Sequence, residues 1–272
     1  MPDPPVEAPV TQPPIARPGG GWHGVALVDL HSHVLPGVDD GAESPAESLA
    51  MLRLAEADGV RQIVATPHAA RCPRQKIKPA VNLLNGLARD SGLAIQVLPG
   101  SEVALTDLAG PHDDLTRFQT INDTPYLLFE LPLRGDWPDR TEEVIFQLQV
   151  AGLWPILAHA ERYPSVQQDV SHLDNLIARD ILVQVNAGSL LGQGGRNARQ
   201  TAEKLLRRGW LHLIASDAHG VDHRPPELAS AFDRVSELAG SAIAAWIAGN
   251  ASAIIEGRPV VLSQHPNAAS QT

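Results

Sequence analysis

The chain has 272 residues, with 21 lysines and arginines against 31 aspartates and glutamates, a formal charge of -10 that argues against a polyanion such as nucleic acid as the main partner. A single cysteine, Cys72, excludes an intrachain disulfide and fits a reducing compartment. No apolar run approaches the ~20 residues of a membrane span, and the opening Met-Pro-Asp-Pro-Pro-Val-Glu lacks the basic start and apolar centre of a secretory signal, so a cytoplasmic setting without membrane insertion is expected.

Residues 1–24 hold seven prolines and include Gly19-Gly20-Gly21, a composition suited to neither helix nor central strand, and a disordered extension is expected there. From residue 25 to 262 the pattern is that of one α/β domain, followed by a polar tail at 263–272. Short apolar, β-branched runs at 25–30, 60–65, 95–98, 127–131, 155–158, 181–185 and 211–215 read as strands of the continuous apolar kind that parallel sheets use. Segments with helical spacing lie between most of them, at 44–58, 76–90, 139–151, 171–179, 196–208, 226–239 and 241–248. The first is the best marked. Ser44 caps it, Pro45 suits its first turn, Glu47 completes a capping box, Leu49, Leu52 and Ala55 form an inner face, and Gly59 stops it. Seven strands alternating with helices imply a barrel-like α/β fold with one unit fewer than the familiar eight.

Polar residues fall at one end of this frame. The first strand runs into His31 and His33 and then the pair Asp39-Asp40, the second into His68, the third into Glu102, the fourth into Glu130, the fifth into His159 and the seventh into Asp217 and His219. In α/β barrels the carboxyl ends of the strands are where catalysis is built. Singly, each has a plainer reading: His68 or His159 as a satisfied structural histidine, Asp39-Asp40-Gly41 as a turn, the acids as caps. Together, five histidines and four or five carboxylates in one concavity are costly without cations, and bound divalent metals resolve the conflict, the donor mix suiting zinc, manganese or iron more than calcium.

Two arginines follow these residues closely, Arg162 three beyond His159 and Arg224 five beyond His219. Each alone reads equally as half of a surface ion pair, but a planar guanidinium can hold two phosphate oxygens, and two beside a metal centre point to a phosphate ester. The chemistry expected is in-line attack by an activated water, with metals and arginines stabilising the charge on phosphorus oxygens.

The motifs Asp29-Leu-His31-Ser-His33-Val-Leu-Pro-Gly-Val-Asp-Asp40-Gly, Ala-Thr-Pro-His68, Pro-Gly-Ser-Glu102, Phe-Glu130-Leu-Pro, Ala-His159-Ala-Glu-Arg162-Tyr, Gln184-Val-Asn-Ala-Gly-Ser189, Ser-Asp217-Ala-His219 and Arg224-Pro-Pro carry a family resemblance. Over residues 25–258 the chain resembles the bacterial capsule and exopolysaccharide protein-tyrosine phosphatases of the PHP (polymerase and histidinol phosphatase) superfamily. That resemblance implies a distorted, TIM-like (β/α)7 barrel, three divalent metal ions, usually manganese with iron or zinc as alternatives, and a phosphotyrosine substrate on the tyrosine-rich tail of the autokinase that controls polysaccharide export. By the same resemblance His31, His33, Glu102 and Asp217 serve a first metal, with Glu102 bridging. Glu130 and His159 serve a second, and Asp40, His68 and His219 a third. Arg162 and Arg224 bind phosphate, and Asp40 or a bound water protonates the leaving phenolate.

A cysteine-dependent mechanism is disfavoured, because six residues after Cys72 stands Lys78 rather than arginine and no phosphate-cradling glycine loop lies between. Two other functions share the scaffold: hydrolysis of a small phosphate monoester such as histidinol phosphate, a nucleotide or a sugar phosphate, and an inert metal-bound protein that docks to a kinase. Nothing in the sequence opposes an oligomer.

Overall fold

The computed structural model describes residues 21–23, 25–108 and 115–262. The expected tail at 263–272 and residues 1–20 and 24 of the expected extension lie outside the described residues. Part of that extension belongs to the fold. Trp22 is buried, its ring lies 4.9 Å from Phe232, its indole N–H donates to Ser236 Oγ at 2.8 Å and its main-chain N–H to Asp233 at 2.9 Å. The folded body therefore begins before the boundary at residue 25 that composition suggested, since one large aromatic side chain outweighs the glycines around it.

Strands and helices alternate as β1 (Leu27–Ser32), α1 (Pro45–Asp58), β2 (Val60–Ala65), α2 (Arg74–Asp90), β3 (Gln96–Pro99), β4 (Glu102–Ala104), β5 (Tyr126–Glu130), α3 (Thr141–Val150), β6 (Trp154–Leu157), α4 (Pro164–Gln168), α5 (Asp174–Ile177), β7 (Leu182–Asn186), α6 (Ala187–Leu190), α7 (Gly195–Arg207), β8 (Leu213–Ala215), α8 (Ala229–Ala239) and α9 (Ser241–Ile255). Every strand pairing is parallel, in the orders β1-β2-β3 and β4-β5-β6-β7-β8. The eight strands of the described residues fill seven positions. β3 and β4 are halves of one strand bent at Gly100 and Ser101, the first half pairing with β2 and the second with β5. A Cβ on Gly100 would lie 2.7 Å from the Val64 side chain, so the bend presses on β2 where only glycine fits.

The two sheets meet at both edges. His68, just beyond β2, bridges to Glu102, and Ser32 at the end of β1 bridges to Ala218 just beyond β8. At this second seam Asp217 N–H donates to His31 O at 2.9 Å and His33 N–H to Ala218 O at 2.8 Å. Buried Asp29 adds a brace, accepting from Ser216 N at 3.0 Å, Ser216 Oγ at 2.5 Å and His31 N at 3.3 Å. The fold is thus a distorted seven-position parallel barrel, with strands buried on both faces as their unbroken apolar runs require.

Local chemistry follows the sequence with small departures. Ser44 caps α1 through Glu47 N–H at 3.3 Å and Gly59 ends it at φ 108°, but the Glu47 carboxylate accepts from Glu43 N–H at 2.8 Å, so the box closes one residue early. The buried face of α1 is Ser48, Met51, Leu52 and Ala55, with Leu49 only half-buried. The helix expected over 171–179 is instead a 3-10 turn, Val170–Leu173, followed by the single turn of α5. Asp169 caps the turn through Ser171 N–H at 2.9 Å, the helix stops at Ile177, and Asp180 turns the chain at φ 57°. α9 runs through Gly249 and Asn250 to Ile255, seven residues past the expected end, because Asn250 donates to His212 O at 3.0 Å and Ala251, Ile254 and Ile255 are buried. His212, read as lying within a strand, sits one residue before β8.

Trp22→Ala should cost about 3–5 kcal/mol of stability, the usual range for truncating a buried large aromatic. Urea denaturation of the variant checks this, and an unchanged midpoint would place Trp22 outside the folded body.

Candidate metal centre

The carboxyl ends of the strands bring all nine expected side chains to one mouth. β1 carries His31 and, one residue beyond its end, His33; β4 begins with Glu102 and β5 ends with Glu130, while Asp40, His68, His159, Asp217 and His219 stand in the loops after β1, β2, β6 and β8. Three residues of the site hold left-handed backbone, His159 at φ 32°, Asp217 at φ 53° and Arg224 at φ 52°. Non-glycine residues accept that conformation only when their surroundings hold them there, and such strain gathers at functional sites. The turn after β1 is held as tightly: a Cβ on Gly41 would lie 2.0 Å from His33 O.

Candidate ligand atoms converge in three groups, each with its atoms within 4.8 Å of one another: His31, His33 and Glu102; His68, Glu102 and Glu130; and His33, Asp40, His68 and His219. Asp217 Oδ1 joins the first, 3.4 Å from His31 Nε2 and 3.5 Å from His33 Nε2. His159 joins the second, its Nε2 2.9 Å from Glu102 Oε1 and 3.7 Å from Glu130 Oε2. Glu102 thereby touches the first two groups, as a bridging carboxylate would. His68 lies between groups rather than in the third alone, with Nδ1 3.1 Å from Glu102 and 3.4 Å from Glu130, and Nε2 3.3 Å from Asp40. His33 has only one nitrogen to offer, because its Nδ1 is 2.7 Å from Asp39.

The donor set fits divalent cations. Imidazoles and carboxylates in this ratio match zinc, manganese or iron. His159 Nδ1 is a buried polar atom with no hydrogen-bond partner among the described residues, and Nε2 is the nitrogen turned to Glu102.

Charge explains the grouping. Burial would raise the Glu102 pKa, but His31, His159 and His33 hold it well below the usual carboxylate range. Burial would likewise strip His33 of its proton, yet Asp39, Glu102 and Asp217 lift its pKa to about 10. His31 is raised in the same way, its desolvation outweighed by Glu102 and Asp217, and His68 by Glu130 and Glu102. His219 goes the other way, pushed down to about 3 by burial and by the neighbouring His33 charge. It is therefore neutral, and since its Nδ1 donates to Asp217 O at 2.8 Å, its Nε2 lone pair is free.

Asp217 divides its two oxygens. Oδ2 accepts from Arg162 at 2.9 Å, Arg224 at 2.7 Å and Asn186 Nδ2 at 2.8 Å, which leaves Oδ1 facing the histidines. Each arginine spends one N–H on Asp217 and retains others. Both line a cleft of about 680 Å³ with Asn186, Leu191, Gln193 and Pro225. A smaller cleft, about 240 Å³, opens over His68, Glu102 and Glu130, with Arg71 on its rim 3.5 Å from Asp40.

Several participants escaped the sequence reading. Asp39, taken as half of a turn, orients His33 and also accepts from His68 N–H at 3.1 Å. Arg71, 3.5 Å from Asp40, has no place in the sequence reading. Gln184 and Asn186 were quoted without a role, although two polar residues at alternate positions of an otherwise apolar strand are a signal in themselves. Buried Glu161, between His159 and Arg162, accepts from Ser189 Oγ at 2.7 Å and Asn186 N–H at 3.2 Å. His223 lines the larger cleft and is exposed.

Comparison with known proteins gives these residues a context. The family model for capsular polysaccharide synthesis, CpsB/CapC, matches residues 27–256. CapC of Staphylococcus aureus is 35% identical over 211 residues, covering 76% of this chain and 82% of CapC. The tyrosine-protein phosphatase YwqE of Bacillus subtilis is 30% identical over 240 residues, covering 86% of this chain and 93% of YwqE. A crystal structure from work on YwqE of Bacillus subtilis and CpsB of Streptococcus pneumoniae, described there as metal-dependent tyrosine phosphatases, superimposes with a TM-score of 0.80 at 28% identity, covering 86% of this chain and 96% of that one.

Because His33 keeps its proton well above neutrality until a cation replaces it, adding a divalent cation near neutral pH should expel at least one proton. Titration calorimetry in buffers of different ionisation enthalpy reads this directly. A binding heat that does not change with buffer would contradict it.

Proposed function

The chain belongs to the CpsB/CapC capsular polysaccharide synthesis family, and from that premise we propose that it is a metal-dependent phosphatase that removes phosphate from tyrosines of proteins. The observation that carries this reading is the convergence of Arg162 and Arg224 on one Asp217 oxygen, at 2.9 and 2.7 Å, between a nest of imidazoles and carboxylates and a cleft of about 680 Å³. That volume lies in the ordinary range for ligand sites, roughly 300–1,000 Å³.

The nine residues His31, His33, Asp40, His68, Glu102, Glu130, His159, Asp217 and His219 would hold the cations, three in number and manganese by preference, with iron or zinc acceptable to the same donors. When bound, these ions supply an activated water and positive charge beside the phosphoryl oxygens. Arg162 and Arg224 grip non-bridging oxygens with the N–H groups not spent on Asp217, which orients the ester and takes up charge as the P–O bond breaks. Asp40, 46% exposed at the mouth, or a water held beside it would deliver the proton to the departing phenolate. Arg71 beside it steadies that carboxylate.

The reading extends to setting. The substrate is the phosphotyrosine tail of a bacterial autokinase that controls capsule or exopolysaccharide synthesis, encountered in the cytoplasm. The phosphatase domain runs from Trp22 to residue 262. No helix among the described residues is long and apolar enough to cross a membrane.

Cys72 has no part in this chemistry. It is buried, and its thiol is pushed up by burial and by Asp39, the opposite of what a nucleophilic thiolate needs.

Purified protein should release phosphate from p-nitrophenyl phosphate and from a phosphotyrosine peptide, lose both activities on chelation and recover them with manganese. His159→Ala and Asp217→Ala should each abolish turnover with circular dichroism unchanged. Arg162→Ala and Arg224→Ala should each lower kcat/KM by about 10²–10³, the usual loss for one donor to a developing oxyanion. Cys72→Ser should turn over as the parent does. Turnover of small phosphates without any release from phosphopeptides would redirect the function to a small monoester, and activity that survives exhaustive chelation would overturn the metal requirement.

A further inference from the structure

The strand β7 contributes no proposed ligand, yet it sends two polar side chains into the centre, and Gln184 and Asn186 are both buried. Their hydrogen bonds run in a chain whose polarity can be worked out from its ends. At one end the main-chain N–H of His159, which can only donate, points at Gln184 Oε1 at 2.8 Å. At the other end stands the Asp217 carboxylate, which accepts from Arg162 and Arg224 on the same Oδ2 that is 2.8 Å from Asn186 Nδ2. Between them Gln184 Nε2 donates to Asn186 Oδ1 at 2.8 Å. Each amide is therefore fixed in orientation, because flipping either one would set two donors or two acceptors against each other at both of its ends.

The remaining contact of Gln184 Oε1 is His31 Nδ1, at 3.2 Å. An amide oxygen only accepts, so Nδ1 must carry a proton. The other nitrogen, Nε2, is the one that lies 3.3 Å from His33 Nε2 and 3.4 Å from both Glu102 and Asp217. We infer that Gln184, held by Asn186, is a positioning residue that locks His31 with its proton on Nδ1 and so presents the Nε2 lone pair to the cation shared by His31, His33, Glu102 and Asp217. Through its bond to His159 N–H the same oxygen steadies a second imidazole in its left-handed turn at φ 32°. Through Asn186 the strand also shares Asp217 Oδ2 with the two arginines. One side chain without charge thus links two imidazoles and, through its neighbour, the phosphate-binding pair.

This role rests on the metal-centre reading above, and the test separates the two. Gln184→Met keeps the volume and removes the acceptor, whereas Gln184→Glu in its neutral form keeps a carbonyl acceptor for His31 and His159 and an O–H donor for Asn186 Oδ1. If Gln184 only fills space, methionine is the milder change. If it locks His31, glutamate is.

The measurement is competition with a chelating dye for zinc and for manganese, together with elemental analysis and thermal melting of each loaded and stripped protein. We expect Gln184→Met to fold and to bind one ion of the set about 10–100-fold more weakly, the usual cost of losing the partner of a ligating histidine, so that elemental analysis at limiting chelator falls by one ion per chain. Gln184→Glu should stay within a few-fold of the parent. Parental affinity in Gln184→Met, or a loss in Gln184→Glu as large as in Gln184→Met, would overturn the role of Gln184 while leaving the centre standing. A parent protein that takes up no ion would instead overturn the centre, and the inference with it.

Discussion

Two buried carboxylates, Glu102 and Asp217, set the terms for the mouth of this barrel. Each is almost wholly removed from water, and a buried carboxylate without compensation is too costly to keep. Protein answers part of that charge: Asp217 spends one oxygen on two guanidiniums and an amide, and Glu102 is surrounded by His31, His33, His68 and His159. The rest is left to groups that can be exchanged. Where a cation is absent, protons on His33, His31 and His68 supply the balance, as their raised pKa values record. The centre is built to be positive in its interior, and protons or metals can both meet that demand.

The scaffold serves this demand at some local cost. Left-handed backbone at His159, Asp217 and Arg224 falls on residues that must turn their side chains inward from the ends of strands. The barrel's seams hold these turns in place. Asp217 N–H is tied to β1 through His31 O, and Asp29 clamps Ser216 beside it, so the strand that carries the first histidines also fixes the loop that carries the last ligands. Burial lifts the Asp29 pKa to about 6 despite the donors it accepts, a further sign that the seam favours position over solvation. The close approach of Gly41 to His33 acts in the same way on the other side.

How much of this was legible in the sequence depended on whether position along the chain stood in for position in space. His31, Glu102 and Glu130 could be placed because a parallel barrel converts the end of each apolar run into a place on one rim. The same argument is silent about residues that work through a neighbour. Asp39 was read as turn chemistry, which it also is, since it accepts from Gly41 N–H at 3.1 Å, and nothing local distinguishes a turn aspartate from one that orients a histidine six residues back. Gln184 and Asn186 face inward on a strand whose neighbours are apolar, but their partners lie 25 to 153 residues away. Element boundaries failed for a related reason: α9 continues past Gly249 because of a hydrogen bond to His212 and burial against the barrel, both long-range, and the folded body reaches back to Trp22 because Phe232 waits for it.

The acidic balance of the chain carries a last point about substrate. A net charge of -10 repels polyanions at long range, yet the chemistry proposed for the mouth handles a phosphate dianion. The two are compatible because the positive groups are concentrated where the acids are not free. Asp217 cancels one of the two positive charges of Arg162 and Arg224, so little of their charge projects far, while their unspent N–H groups remain available at contact distance. Arg71 plays the same part beside Asp40 at the rim. Capture then relies on short-range, geometrically fixed donors rather than on attraction across the solvent. On the proposed function, such a site would gain its specificity from the ester that fits between the cleft and the arginines.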